Sequence, residues 1–269
     1  MGDTVQGAGP RAKAASAQSL GVRQEPVNLS VRGKVDEIAV RALRSLLPPR
    51  CLLCGAPGEG DRDLCAGCAG DMARNQPCCA RCAEPLAVAA LMCGACLKHE
   101  PPFAAAWAPL RYAHPLDLIE ARFKFHGDLA AGRVLTDLLC AAFDEASPLR
   151  PDCLIPIPLH ATRLRERGYN QALELARPLA ARLGIPLRID LLERTRATPA
   201  QTGLDAAARR RNLRGAFALR PHAELPQHIA VFDDVMTTGA TLREAARVMQ
   251  RAGVARVDVW ALARAPQHH

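Results

Sequence analysis

The sequence predicts an α/β protein, a parallel sheet flanked by helices, preceded by a small cysteine-rich module. Two observations carry this. From Phe103 onward, apolar strand candidates alternate with helical patterns, and strands separated by helices cross over to run parallel. Before that point, nine of the eleven cysteines are confined to Cys51–Cys96. A chain of 269 residues has room for two units, one of them small. The expected division is a tail over 1–34, a helix plus cysteine module over 35–100, and an α/β unit over 101–269.

The tail is rich in Gly, Ala, Gln and Ser without a sustained apolar period, the composition of a disordered segment. Val35, Ile38, Ala42, Leu43, Leu46 and Leu47 then share one helical face, and Pro48-Pro49 stops that helix. In the α/β unit a strand is expected over Phe103–Tyr112, with helices over Leu116–Phe125 and Leu129–Phe143. Cys153–Pro158 reads as a short buried strand, followed by a helix over Asn170–Leu183 and a weaker strand over Leu187–Leu192. Arg194–Gly203 is polar and turn-rich, and Leu204–Leu213 looks helical. The last strands are Ile229–Asp233 and Arg256–Leu262. Between them runs a helix over Ala240–Ala252, closed by Gly253.

The cysteines form four C-x-x-C pairs, Cys51/Cys54, Cys65/Cys68, Cys79/Cys82 and Cys93/Cys96, with ten residues between the first two pairs and ten between the last two. A C-x-x-C turn aims two thiolates at one metal, and two such turns complete a tetrahedral set. Eight ligands therefore imply two structural Zn²⁺ ions. Consecutive pairing gives two small ribbons, while an interleaved cross-brace uses the same residues. Gly55 and Gly94 stand just after a ligand or between ligands, where a tight knuckle tolerates positive φ. Redox exchange needs one exposed, low-pKa pair and fits four identical pairs poorly. Cys78 is left over as a possible competing ligand, and Cys140 and Cys153 read as core thiols.

The second constellation is an apolar run, Ile229-Ala230-Val231-Phe232, that ends in Asp233-Asp234 and leads through Thr237-Thr238-Gly239 into a helix. Amides at the helix start and the hydroxyls of Thr237, Thr238 and Thr241 suit a phosphate, which the helix dipole also favours. Gly239 permits close backbone approach, and the two carboxylates stand where a polyol is held. The plain alternative is a strand end followed by a helix cap. All four pieces in register argue for the anion site, at the strand edge where open α/β sheets bind ligands. The chain has neither G-x-x-x-x-G-K-[ST] nor G-x-G-x-x-G, so nucleotide hydrolysis and dinucleotide binding lose their usual support.

Composition narrows the partners. The formal net charge is +8, which suits phosphorylated metabolites or nucleic acid. Aromatic residues are only 4%, too few for a base-stacking platform. No run approaches the ~18 apolar residues of a membrane span, and the first residues lack the apolar core of an export signal. A cytoplasmic setting with reduced thiols is the expectation.

At this point the residues resemble a known pattern. Val231 to Thr241 is similar to the phosphoribosyl pyrophosphate signature of the type I phosphoribosyltransferases, and with the cysteine module the chain resembles the ComF family of competence-associated proteins. The likeness spans about Arg44 to Arg264. It takes in Lys124-Phe125-His126-Gly127, Pro156-Ile157-Pro158, Arg163 through Gln171, Arg194-Thr195-Arg196 with Gln201, and Arg211 through Phe217.

The resemblance implies the type I phosphoribosyltransferase fold, with a small hood over about Ala104–Gly127, and binding of phosphoribosyl pyrophosphate with Mg²⁺. It implies donor contacts from Val235, Met236, Thr237, Thr238, Gly239, Ala240 and Thr241, the last five residues holding the 5′-phosphate. Asp233 and Asp234 would hold the ribose hydroxyls. Arg163 and Arg167 would face the pyrophosphate, with Arg165 the first of the three arginines to be left to solvent. Lys124 either reaches the site from the hood or snorkels, and His126 shares that ambiguity. Arg194–Gly203 corresponds to a closing lid. Arg209-Arg210-Arg211 faces phosphate, DNA or water. The implied activity is transfer to an acceptor that the hood residues do not identify. The alternatives are a non-catalytic accessory protein contacting single-stranded DNA or competence-machinery proteins, and a donor sensor.

Overall fold

The structure is a computed structural model that describes residues 48–146, 148–196, 213–221 and 224–266. The tail, the helix expected over 35–47, residues 204–212 of the expected helix, most of the lid segment and Arg209-Arg210-Arg211 lie outside the described residues.

Five parallel strands make the central sheet. Strands β6 (His228–Met236) and β7 (Arg256–Arg264) form its centre, with β3 (Cys153–Pro156) outside β6 and the short β1 (Ala106–Trp107) and β2 (Leu110–Arg111) outside β7. β6 and β7 are near-continuous apolar runs because helices cover both faces of the sheet. Odd and even positions serve different cores. On one face Ile155, Val231, Val257 and Val259 meet Leu242, Ala245, Ala246 and Met249 of α7 (Ala240–Arg251). On the other, Leu154, Phe232, Trp260 and Leu262 pack against Ile119 and Phe123 of α3 (Leu116–His126), Leu135 and Leu139 of α4 (Leu129–Ala146), and Leu175 and Leu179 of α6 (Gln171–Leu183).

Several expected elements change shape. Phe103–Tyr112 is two short strands rather than one, because Pro109 between them has no N–H to give the ladder. Leu187–Leu192 is not a strand. Leu187 makes a single parallel bridge to Leu154, and Arg188 then turns back on Asp190 with two 2.8 Å contacts. The strand begins later, as β4 (Leu192–Arg194), antiparallel to β5 (Phe217–Leu219) in a separate two-stranded sheet. A helix not expected from periodicity, α5 (Ala161–Arg167), follows β3. β6 extends through Asp233, Asp234, Val235 and Met236.

The cysteine module contains α1 (Ala66–Gly70) and α2 (Gly94–Lys98) and packs on the sheet at two places. Cys51, Leu64 and Met72 join the core on the α3–α6 face. Cys79, Cys82, Ala83 and Cys96 join the core on the α7 face. Between them, Arg74 bridges antiparallel to Leu110, so this connection also covers the outer edge of β2. Buried Asn75 donates to the carbonyls of Ala83 (2.8 Å) and Ala108 (2.9 Å), tying module to sheet. Gly55 takes the expected positive φ of 75°; Gly94 does not, because it opens α2 in helical conformation.

Candidate functional site: two metal centres and a strand-end anion site

The eight paired cysteines converge in two sets, Cys51/Cys54/Cys65/Cys68 and Cys79/Cys82/Cys93/Cys96, each with all sulfurs within 4.8 Å of one another. Pairing is therefore consecutive, and Cys78 lies outside both sets. Four thiolates at ~2.3 Å from one Zn²⁺ stand about 3.8 Å apart at tetrahedral angles. The Cys54–Cys65 and Cys82–Cys93 sulfurs are 3.7 and 3.6 Å apart, so both sets fit a structural zinc ion. Backbone N–H groups point at the sulfurs, as from Cys68 to Cys65 and from Cys93 to Cys79. Burial opposes ionisation of Cys51 and Cys79, yet amides of the knuckles outweigh it and bring these thiols to about 6 and about 7. Each set thus carries one thiol already inclined to the thiolate form that binds metal.

The second site forms at the C-terminal end of β6. Asp233 and Asp234 follow the buried run Ile229-Ala230-Val231-Phe232 of this strand. Val235 and Met236 continue it, paired with Ala263 and Arg264. Thr237, Thr238 and Gly239 make the turn into α7. Gly239 is left-handed at φ 69°, and a Cβ there would lie 2.7 Å from the methyl of Met236. No side chain of Gly239 can cap α7, and among the described residues its first amides are met only by a weak 3.4 Å contact from Ala240 to the Thr238 hydroxyl. Exposed Thr237 and half-buried Thr238 and Thr241 surround this helix start. The arrangement can hold an anion with backbone amides and hydroxyls together.

Lys124 reaches the acidic pair. Its Nζ lies 3.1 Å from Asp234 Oδ2 and 3.0 Å from Glu120 Oε1, and Tyr112 donates to the other Glu120 oxygen at 3.3 Å. Burial works against the charge on Lys124, but Asp234 and Glu120 outweigh it and hold its pKa above the ordinary value. The two aspartates part company. Burial and the neighbouring Asp234 charge push Asp233 well up, whereas Lys124 outweighs burial at Asp234 and pulls it down.

The remaining candidates are spread around this point. Arg194, largely buried at the end of β4, lies over the ring of Phe217 and feels the charges of Asp233 and Arg163. Arg163 thereby belongs to the same region. Arg167 donates to Gln171 at 3.1 Å at the turn into α6, Arg165 is exposed, and His126 is exposed at the end of α3. Sequence reasoning missed Glu120 and Tyr112 as site neighbours, and took Arg194 only as the start of the lid segment. Only Glu120 had a local signal, being four residues before Lys124 on one helical face.

A parallel α/β sheet flanked by helices and headed by a double zinc ribbon is the class that the fold and the metal sets define. Comparison with known proteins agrees with it. The double zinc ribbon domain family matches residues 42–97. Competence protein F of Haemophilus influenzae is 37% identical over 223 residues, covering 80% of this chain and 97% of that protein. DNA utilization protein YhgH of Salmonella typhi is 36% identical over 227 residues, 81% of this chain and 98% of its own. Competence protein ComFC of Bacillus subtilis is 31% identical over 136 residues, about half of each. The chain belongs to the ComF family. Among the described residues, no helix is long and apolar enough to cross a membrane.

Proposed function

We propose that the protein binds phosphoribosyl pyrophosphate with Mg²⁺ at the end of β6, transfers the phosphoribosyl group to an acceptor, and serves competence or DNA utilisation. The observation that carries this reading is the run of Asp233, Asp234 and the hydroxyl-rich turn at the C-terminal end of a central parallel strand, with Lys124 seated on Asp234. In this reading the fold is that of the type I phosphoribosyltransferases, residues 101–269 are the donor-binding unit, and residues 35–100 are the zinc-stapled head.

The roles follow from chemistry. Amides and hydroxyls from Thr237 to Thr241 hold the 5′-phosphate, with Val235 and Met236 as the strand that presents them. Asp233 and Asp234 accept hydrogen bonds from the ribose hydroxyls. Mg²⁺, a hard cation that prefers oxygen, would be held beside Asp233 and Asp234 and would supply charge stabilisation to the departing pyrophosphate. In transfer, a nitrogen nucleophile of the acceptor forms a bond to the anomeric carbon. The bond to pyrophosphate breaks, its electron pair leaves with the pyrophosphate, and the acceptor's proton passes to water. Arg163 and Arg167 stabilise the leaving group, joined by Arg194, which feels the charge of Asp233.

A second reading draws on the relatives' names, competence and DNA utilization, and on the charge of +8: a nucleic-acid-handling accessory protein, or a donor sensor without turnover. Calorimetry with phosphoribosyl pyrophosphate and Mg²⁺ tests the first reading. Binding is expected for the native chain and is lost in Asp233→Asn/Asp234→Asn; no heat with the native chain sinks the donor site. Release of pyrophosphate on adding candidate acceptors separates enzyme from sensor. Single-strand binding that weakens steeply with salt supports the accessory reading.

A further inference from the structure

The second cysteine set is joined to the hydroxyl-rich turn by one buried side chain. Arg264, the last residue of β7, is 1% exposed and paired in register with Met236. One of its terminal nitrogens donates to the carbonyls of Met236 (2.9 Å), Thr237 and Ala265 (2.5 Å). The other donates to Glu84, itself buried. Glu84 follows the C-x-x-C turn of Cys79 and Cys82. That turn is closed by Ala83 N–H to the Cys79 carbonyl and Cys79 N–H to the Glu84 carbonyl, with Ala83 forced to φ 53°. The thiols Cys79, Cys82 and Cys96 share one core with Met236 and Ala240.

The planarity of the peptide gives this contact its consequence. In a trans peptide the N–H points opposite to the C=O. Drawing the Met236 and Thr237 carbonyls onto Arg264 therefore aims the N–H groups of Thr237 and Thr238 the other way, out of the core. Those are amides an anion would meet. A zinc ion that fixes the Cys79–Cys82 turn also fixes where Glu84 stands, and Glu84 fixes the guanidinium. An asymmetric, fork-shaped donor is needed, since one end serves the turn and the other the ribbon.

We propose that Arg264, held by Glu84, is a positioning residue for the Thr237–Gly239 turn, so that metal in the Cys79/Cys82/Cys93/Cys96 set governs affinity for the donor's 5′-phosphate. This rests on the donor reading above. It makes the zinc head a control element of the strand-end site as well as a brace for the fold.

The test uses the full zinc-loaded chain and the variants Glu84→Gln and Arg264→Lys, with Asp63→Asn in the first module as control. Lysine keeps the charge opposite Glu84 but cannot bridge to the turn. Zinc content, amide exchange at Thr237 and Thr238, and calorimetry with phosphoribosyl pyrophosphate and Mg²⁺ are read together. Both variants are expected to keep two zinc ions, exchange the two amides faster and bind the donor on the order of tenfold more weakly, as befits loss of one charge-assisted bond. The control is expected to change neither. Exchange and Kd both within twofold of the native chain overturn the proposal. Should a variant fail to fold, graded chelation of the native chain replaces it. Loop amides that keep their protection after the second set has lost its zinc also overturn it. A native chain that binds no donor refutes the donor reading and the affinity claim with it, while the exchange measurement still decides whether Arg264 positions the turn.

Discussion

The two cysteine modules share a ligand spacing but meet the sheet by different routes. The first packs on the α3–α6 face mostly from its rim: Cys54 is exposed, Cys65 and Cys68 are half-buried against that core, and of the four ligands Cys51 alone is within it. It touches the strand-end site at one remove. Arg122 of α3 donates to the Leu52 carbonyl at 2.9 Å, and two residues later the same helix sends Lys124 to Asp234. The second module is the more deeply set, with Cys79, Cys82 and Cys96 buried, and reaches the site through Glu84 and Arg264. One module steadies a helix that carries a charge; the other is built into the turn itself. Identical metal chemistry therefore need not have identical consequences.

The sharpest way to break this comparison is to remove one ligand from each set. Cys82→Ser leaves a defective metal site inside a core shared with β6 and α7, and a loss on the order of 5 kcal/mol or more is expected. Cys54→Ser disturbs an exposed corner and should cost roughly half as much. Urea unfolding with zinc counted by mass spectrometry checks both, each variant retaining the metal of the untouched set. Equal losses would show that burial of the second set is incidental.

The next largest effect belongs to Lys124. Lys124→Met leaves Glu120, 2% exposed, and Asp234, 13% exposed, without their shared cation. Breaking a buried pair from one side costs roughly 3–5 kcal/mol, because the remaining charge stays buried. Lys124→Met/Glu120→Gln should recover part of the loss, and comparing midpoints of the two variants checks it. Full recovery would mean that Asp234 does not need the lysine.

What the sequence disclosed follows the same division between local and distant contacts. The metal sets were legible because a C-x-x-C turn is a four-residue event, and only the choice between consecutive and interleaved pairs needed the fold. Strand, acidic pair, turn and helix from Ile229 to Ala252 were legible because they are contiguous. The seven residues of α5 hid because Leu164 is their only large apolar side chain, too little to show a period. Pairing of β4 with β5 joins segments on either side of a long polar stretch, which no pattern in either one announces. Glu84 and Arg264 are 180 residues apart, and nothing near either reports the other.

A smaller effect, of opposite sign, is expected where the two routes converge. The folded-state pKa of Asp233 lies above its ordinary value, because burial and Asp234 disfavour its charge. Such a group supports folding below its unfolded pKa, and that support is lost as pH rises through the raised value. Asp233→Asn should therefore stabilise the unliganded chain by on the order of 1 kcal/mol at pH 8 and by nothing at about pH 2, where the aspartate is neutral both folded and unfolded. Asp234 behaves inversely: its support is present above the ordinary carboxylate range and lost as pH falls through its lowered value. Thermal midpoints across pH test the pair. A variant as stable as the native chain at every pH would show that the acidic pair is not strained in the folded state.

The smallest effect tests which contacts couple the first module to its helices. Arg133 of α4 meets Asp63 at 3.4 Å with its side chain 57% exposed, a pair that water screens and side-chain entropy opposes. Arg133→Ala should change stability by no more than about 0.5 kcal/mol. Arg122 is different in kind. It gives one nitrogen to a backbone carbonyl of the knuckle and others to Asp128, whose carboxylate also caps the start of α4 through the amides of Ala130 and Ala131. Arg122→Ala removes a junction of three segments and should cost about 1–2 kcal/mol. If the order of the two were reversed in urea unfolding, the first module would be held by surface charge, and its route to Lys124 through α3 would lose its physical basis.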